Sequence, residues 1–319
     1  MTRTFEDVPA KREQTPCLCG LVGPSGTGKT FSALRLATGM QRVSGGDIGF
    51  IDTEARRALH YADQFKFRHL EFRAPFDSLS YLAAIQHFVN KGCKTIIVDS
   101  MSHEHEGAGG MLEQAGFGMG GGVKFDAWIK PKAARVKMIG GILQTNANMI
   151  FCFRAKEKLK IIKGKDPEQR GYQPIAGEEF LFEMMINFML LPGAVGHPSW
   201  QSDIRDEQAM MKLPTQFHEM FTRDIQLDEA TGEAMVRWCA GGATRAGDLM
   251  TKRFAALGVT EDQLVSYLGH PMADATKEER EALAAFGVKI KSGAGTWETL
   301  TAPPGDSDIA PSDNPDEGP

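Results

Sequence analysis

The hydrophobic positions of this chain fall into short unbroken runs separated by longer stretches where apolar residues recur every three or four positions. The runs Cys17-Leu18-Cys19-Gly20-Leu21-Val22, Ile48-Gly49-Phe50-Ile51-Asp52, Thr95-Ile96-Ile97-Val98-Asp99 and Met149-Ile150-Phe151-Cys152-Phe153 are nearly all apolar. Such runs predict strands buried on both faces, not strands with one wet face. Between them, Thr30 to Met40, Leu79 to Asn90 and Phe125 to Asn146 carry the helical period. Strands alternating with helices predict an α/β fold whose mostly parallel sheet is flanked by helices.

Beyond the fourth strand the pattern changes. Residues 180–191 are apolar again, and Ile225-Gln226-Leu227 with Met235-Val236-Arg237-Trp238, around Glu229-Ala230-Thr231-Gly232, predict a β-hairpin. Thr260-Glu261-Asp262-Gln263 and Thr276-Lys277-Glu278-Glu279 both fit the capping box that opens a helix, and Gly269 followed by Pro271 stops the first of them. The expected organisation is an arm over 1–13, a core over 14–240, a small helical module over 241–301 and a disordered acidic tail over 302–319, which lacks apolar anchors. No internal repeat is visible.

With 319 residues, 42% of them hydrophobic and 24% charged, the chain can bury a sizeable core. Its net charge of −5 argues against a uniformly basic coat but leaves room for a local basic patch. No apolar run reaches the roughly 20 residues of a membrane span, and Met1-Thr2-Arg3-Thr4-Phe5-Glu6 has no apolar leader, so a cytoplasmic protein is expected. The odd number of cysteines, mostly in buried-strand patterns, predicts free thiols; Cys17-x-Cys19 lacks the second ligand pair of a zinc site.

The first predicted strand runs into Gly23-Pro24-Ser25-Gly26-Thr27-Gly28-Lys29-Thr30, with a helix directly after it. Glycines let the backbone wrap an anion, and the freed N–H groups and the helix N-terminus bind phosphate oxygens. Lys29 then reaches the terminal phosphates, Thr30 offers its hydroxyl to Mg²⁺, and Phe31 borders the nucleotide. The expected ligands are ATP and Mg²⁺. Asp99 closes the third strand, where a carboxylate can hold Mg²⁺ through its water shell. Glu54, at the end of the second strand, is the candidate for activating water, with Glu104 as rival. Arg154 ends the fourth strand, where α/β sheets put ligand-binding residues. His103-Glu104-His105-Glu106 reads as a polar loop, since adjacent alternating residues rarely converge on one metal ion.

Asp52-Thr53-Glu54 and Val98-Asp99-Ser100 after this glycine loop resemble the RecA-like branch of P-loop ATPases. The longer strings from Ile51 to Asp63 and from Asp99 to Glu104 look like a bacteriophage family of RecA-like ATPases of the Sak type, some implicated in single-strand annealing. The resemblance covers about residues 16–190. It implies a DNA-stimulated ATPase that acts on single-stranded DNA in recombination or annealing, as a ring or filament of like subunits, in the cytoplasm of a bacterial host, with a single-strand binding protein as a possible partner. Such proteins commonly carry Gln on the fourth core strand as a γ-phosphate sensor; here Arg154 stands there, and it can stabilise transition-state charge as arginine fingers do.

The same resemblance makes Gly107–Gly122 and Ala155–Gly171 the DNA-facing loops. Lys124, Lys130, Lys132 and Arg135 follow the first; Lys160, Lys163, Lys165 and Arg170 lie in the second, where Lys156 and Lys158 could reach a neighbouring subunit's ATP. Trp128 or Tyr172 could stack a base. The stretch from Leu257 to Trp297 is similar to small helical modules that end several phage recombination proteins. Two alternatives stay open: an ATP-driven DNA motor of the helicase or packaging class, and a small-molecule kinase, against which Glu54 counts.

Overall fold

A computed structural model describes residue 10 and residues 12–117, 125–160, 168–199, 212–217, 221, 226–241, 251, 254–255, 257–272 and 275–301. The chain divides into two compact units, Thr15–Gly242 and a second formed by Met1–Gln14 with Ala243–Pro319.

The larger unit is built on a mostly parallel sheet of seven strands: β1 (Leu18–Gly23), β2 (Asp47–Asp52), β3 (Arg68–Glu71), β4 (Cys93–Asp99), β5 (Asn148–Lys160), β6 (Glu168–Pro174) and β7 (Ile186–Met189). The order is β3-β2-β4-β5-β1-β7, and β6 pairs antiparallel with β5 past the end of the main sheet. The remaining pairings are parallel. Successive strand residues therefore point to opposite faces, and both faces are dry. Leu21, Phe50, Ile97, Ile150, Cys152 and Phe188 enter one core, while Val22, Ile51, Val98, Phe151, Phe153 and Met189 enter the other.

Helix α1 (Lys29–Ser44) covers the first face. Helices α2 (Ser78–Asn90), α5 (Ile129–Gln144) and α6 (Glu178–Glu183) cover the second, and short α3 (Ser102–Glu106) and α4 (Met111–Gln114) follow β4. All five cysteines are buried thiols outside any disulfide. Among the described residues no helix is long and apolar enough to cross a membrane.

The β-hairpin expected around Glu229-Ala230-Thr231-Gly232 is not there: Glu229–Ala240 is a helix, α7. Asp228 caps it, accepting from Thr231 N at 2.9 Å while Thr231 Oγ1 accepts from Asp228 N at 2.8 Å. Its buried residues Thr231, Gly232, Met235, Val236 and Cys239 follow the helical period and pack with α1 in the first core. Gly232 is a contact residue and not a turn residue: a Cβ there would lie 2.2 Å from Leu36 O, and one on Gly39 would lie 1.9 Å from Glu229 O.

Backbone cannot yield to such contacts as a side-chain tip can, so the two helices must separate. Gly232→Ala is expected to lower stability by ~1–3 kcal/mol through overpacking, even though alanine favours a helix by ~1 kcal/mol. Denaturant unfolding measures this, and a gain in stability would show that the helices part freely.

In the smaller unit, helices α8 (Glu261–Leu268), α9 (Lys277–Lys291) and α10 (Trp297–Thr301) gather Phe254, Val259, Leu264, Met272, Leu283 and Trp297 into a core of their own. Both predicted capping boxes form: Thr260 N donates to Gln263 Oε1 at 2.8 Å, and Thr276 N to Glu279 Oε2 at 2.7 Å. Gly269 ends α8 in the left-handed region at φ 77°. The expected arm falls mostly, and the acidic tail wholly, outside the described residues.

Candidate active site

Parallel pairing brings the predicted site residues to one edge of the sheet. Gly23 is in register with Arg154, Asp99 with Cys152 and Asp52 with Asp99, so β1, β4 and β2 end at the same level, whereas β5, expected to end at Arg154, runs on to Lys160. The glycine-loop strand and the Asp99 strand are not neighbours; β5 runs between them and delivers Arg154 to the middle. This is the carboxyl edge at which open α/β sheets bind ligands.

The loop from Gly23 to Gly28 holds its shape through backbone that other residues resist. Gly26 and Gly28 adopt φ 79° and 87°, and a Cβ on Gly23 would lie 2.5 Å from Leu190 O. Thr27 Oγ1 donates to Pro24 O at 2.9 Å and pins the turn, while Ser25, Gly26 and Gly28 stay exposed. Lys29 is buried and donates to Gly23 O and Pro24 O at 2.8 and 2.7 Å. Burial lowers its pKa, against the pull of neighbouring anions such as Asp99 and Glu54.

Thr30 Oγ1 donates to Asp99 Oδ2 at 2.5 Å. Asp99 is buried, and that burial raises its pKa to about 6 despite the Thr30 hydrogen bond and Lys29. A hydroxyl beside a carboxylate on adjoining elements, under a phosphate-wrapping loop, is the donor set Mg²⁺ uses when phosphates and waters complete its shell. Among the described residues no group of three or more His, Cys, Asp or Glu is placed to hold a metal, and His103 to Glu106, expected as a polar loop, instead form α3 with Glu104 buried.

Glu54 is held on a turn whose anchors the sequence reading did not assign. Asp52 is buried; its Oδ1 accepts from Glu54 N at 2.8 Å, and its Oδ2 accepts from Ala58 N at 3.0 Å and lies 3.0 Å from His69 Nε2. Thr53 Oγ1 accepts from Ser100 N at 2.7 Å and lies 2.7 Å from His103 Nδ1, tying this turn to the end of β4. Ala55 and Arg56 both take positive φ, 55° and 67°. The only sequence signal for the anchors was the Asp two residues ahead of the Glu.

Arg154 grips Glu54 with a fork: Nε donates to Oε1 at 2.8 Å and Nη2 to Oε2 at 2.6 Å. Burial works to raise the Glu54 pKa, but the Arg154 hydrogen bonds and charge, helped by His103 and Arg57, outweigh it and leave the carboxyl below its usual range. The rival, Glu104, is elsewhere engaged. It is buried and accepts from Arg135 Nε and Nη2 at 3.1 and 2.6 Å and from Ser78 Oγ at 2.5 Å.

That pairing also corrects the expectation for Arg135, which lies buried and is no part of a DNA-facing surface. Lys130 and Lys132 are exposed on α5, and Lys156 on β5 just past Arg154. Trp128, half-buried, meets the Phe117 ring edge-on at 5.6 Å, with Lys132 Nζ 5.9 Å from its centroid. Lys124, Lys163 and Lys165 lie outside the described residues, as do the side chains of Lys158, Lys160 and Arg170.

Beside the loop a cavity of about 250 Å³ opens, lined by Gly26, Thr27, Gly28, Phe31, Arg35 and the turn around Val195. Comparison with curated proteins finds no match. The AAA domain family matches residues 15–186, the segment that carries the glycine loop, Glu54, Asp99 and Arg154. The chain therefore belongs to the AAA domain family and has its nucleotide-binding, ATPase-type function.

Proposed function

We propose that this chain binds and hydrolyses ATP with Mg²⁺ in the RecA-like manner, and that it does so on single-stranded DNA, as a homo-oligomer, in annealing or recombination of the bacteriophage kind. The observation that carries the hydrolytic part is the Arg154–Glu54 fork, held on the strand between the glycine loop and Asp99. Lys29 turns from the carbonyls of Gly23 and Pro24 to the terminal phosphates. Thr30 and Asp99, joined by their hydrogen bond, would hold Mg²⁺, which when bound would neutralise phosphate charge.

Glu54, ionised at neutral pH, orients a water and takes its proton as phosphate leaves ADP. Both its oxygens are first occupied by Arg154. A γ-phosphate offers that guanidinium a second anion, so triphosphate binding draws Arg154 from Glu54 and leaves the carboxylate for water. Arg154 then stabilises the transferring group.

The DNA half rests on the exposed Lys130 and Lys132 at the start of α5, on the exposed Lys156 two residues past Arg154 on β5, and on the Lys132–Trp128 pair. Lysine beside an aromatic ring is what sequence-tolerant single-strand grooves use. Hydrolysis by the purified chain, with and without single-stranded DNA across a salt series, tests this, with Lys29→Ala as control. DNA is expected to stimulate turnover, and the stimulation to fade as salt rises. Turnover indifferent to DNA, with no binding, would remove DNA from the reading and leave the ATPase standing. Processive unwinding would favour a motor, and a phosphorylated acceptor a kinase.

A further inference from the structure

The cavity beside the glycine loop is walled by two apolar side chains that the phosphate chemistry does not require. Phe31, 37% exposed, is braced from behind by Tyr61 and Phe65, with ring centroids 5.8 and 5.5 Å away. The same cavity is lined by Val195, 73% exposed, on the turn that follows β7, the strand paired with β1. Val195 has φ 48°, a conformation a β-branched residue adopts only when its surroundings impose it.

The imposing contacts are plain. Ala194 N donates to Leu191 O at 3.0 Å, His197 N to Ala194 O at 2.9 Å, Leu227 N to Gly196 O at 2.9 Å and Gln226 Nε2 to Val195 O at 2.5 Å. Gln226 in turn accepts from Arg35 Nη1 at 2.8 Å, and Arg35 is forked onto Glu229 through Nε and Nη2 at 3.0 and 2.8 Å. A strained, outward-facing valine is thus fixed to the helix that starts at the phosphate loop. The cavity, about 250 Å³, falls below the ~300–1,000 Å³ of pockets for drug-sized ligands and suits one flat ring system.

We propose that this cavity takes the base of the bound nucleotide, stacked between Phe31 and Val195, and that it accepts adenine and guanine alike. The inference rests on the reading of the glycine loop as a nucleoside-triphosphate site. Continuity supports the occupant: Gly26, Thr27 and Gly28 line both the cavity and the phosphate loop. Indifference to the purine follows from the lining. Arg35 and Gln226, the side chains long enough to read a base edge, are committed to Glu229, to each other and to Val195 O. What remains is stacking, which every purine offers and a smaller pyrimidine offers less of.

The test is equilibrium binding of Mg-ATP, Mg-GTP, Mg-CTP and Mg-tripolyphosphate to the full chain and to its Phe31→Ala and Val195→Gly variants. ATP and GTP are expected to bind within about threefold of each other and about tenfold or more tighter than tripolyphosphate, with CTP between. Both variants should narrow that advantage and leave tripolyphosphate binding where it was. Val195→Gly relieves the strained backbone, so a merely structural valine predicts no loss.

ATP bound no tighter than tripolyphosphate overturns the base pocket while leaving the triphosphate site standing. ATP preferred over GTP by more than about tenfold overturns the indifference. Loss of ATP and tripolyphosphate together in both variants overturns the stacking role. A chain that binds neither ligand removes the nucleotide reading itself.

Discussion

Glu54→Gln is expected to bind ATP as the parent does and to lose turnover by about 10²–10⁴-fold, the usual worth of a positioned general base. Glutamine preserves the volume and one acceptor oxygen, so the turn anchored by Asp52 and Thr53 should survive, but it takes no proton from water. Phosphate release measured beside nucleotide titration separates the two effects. Full turnover in the variant would remove Glu54 from the chemistry. Glu104 could not simply inherit the role, since Arg135 and Ser78 already occupy its oxygens.

Arg154→Ala sharpens the same test. If the arginine only restrained Glu54, its removal would raise basal turnover; acting also on the transferring phosphate, it should cost about 10³-fold or more. Residues that act as a unit are not additive, so Glu54→Gln with Arg154→Ala should be little worse than the poorer single variant. Additive losses would mean that the fork is an incidental pair.

The parts of this fold legible in the sequence are those with local causes. Unbroken apolar runs announced β1, β2, β4 and the first half of β5, because a strand buried on both faces has no polar positions to lose. The capping boxes at Thr260 and Thr276 were readable because cap and partner lie within one turn. Helix α7 was misread because its apolar residues flank Thr231-Gly232, which resembles a turn. The Asp228-x-x-Thr231 cap and the recurrence of Met235, Val236 and Cys239 were the better signal. Gly232 is set by helix α1, far off in sequence, and no local pattern shows that.

The candidate site divides in the same way. Lys29, Thr30, Asp99 and Glu54 each stand at a strand end or helix start that the sequence marks. The pairing of Arg154 with Glu54 spans 100 positions and depends on the strand order, which places β5 between β1 and β4. The wall at Val195 depends on a loop after β7, a strand of 4 residues too short for its pattern to announce.

Arg135 is the clearest case of a residue whose role only the fold decides, and its loss should have the largest effect on stability. Its guanidinium, 3% exposed, donates to both oxygens of Glu104 and, through Nη1, to Glu179 Oε1 at 3.0 Å, joining α3, α5 and α6. Ser78 brings in α2, and Gly177 leaves the room, since a Cβ there would lie 2.0 Å from Nη1. Removing one partner strands the other charge away from water. Arg135→Met is therefore expected to destabilise the unit by about 3–5 kcal/mol, and Arg135→Lys to lose much of the same, because an ammonium cannot fork onto a carboxylate.

Replacing both charges, as in Glu104→Leu with Arg135→Met, should recover most of that loss, since buried pairs often break even against apolar side chains of similar volume. Denaturant unfolding of the parent, both single variants and the double variant gives the cycle. A single-variant cost below about 1 kcal/mol would mean that water reaches the pair and that these helices are held by their apolar contacts alone.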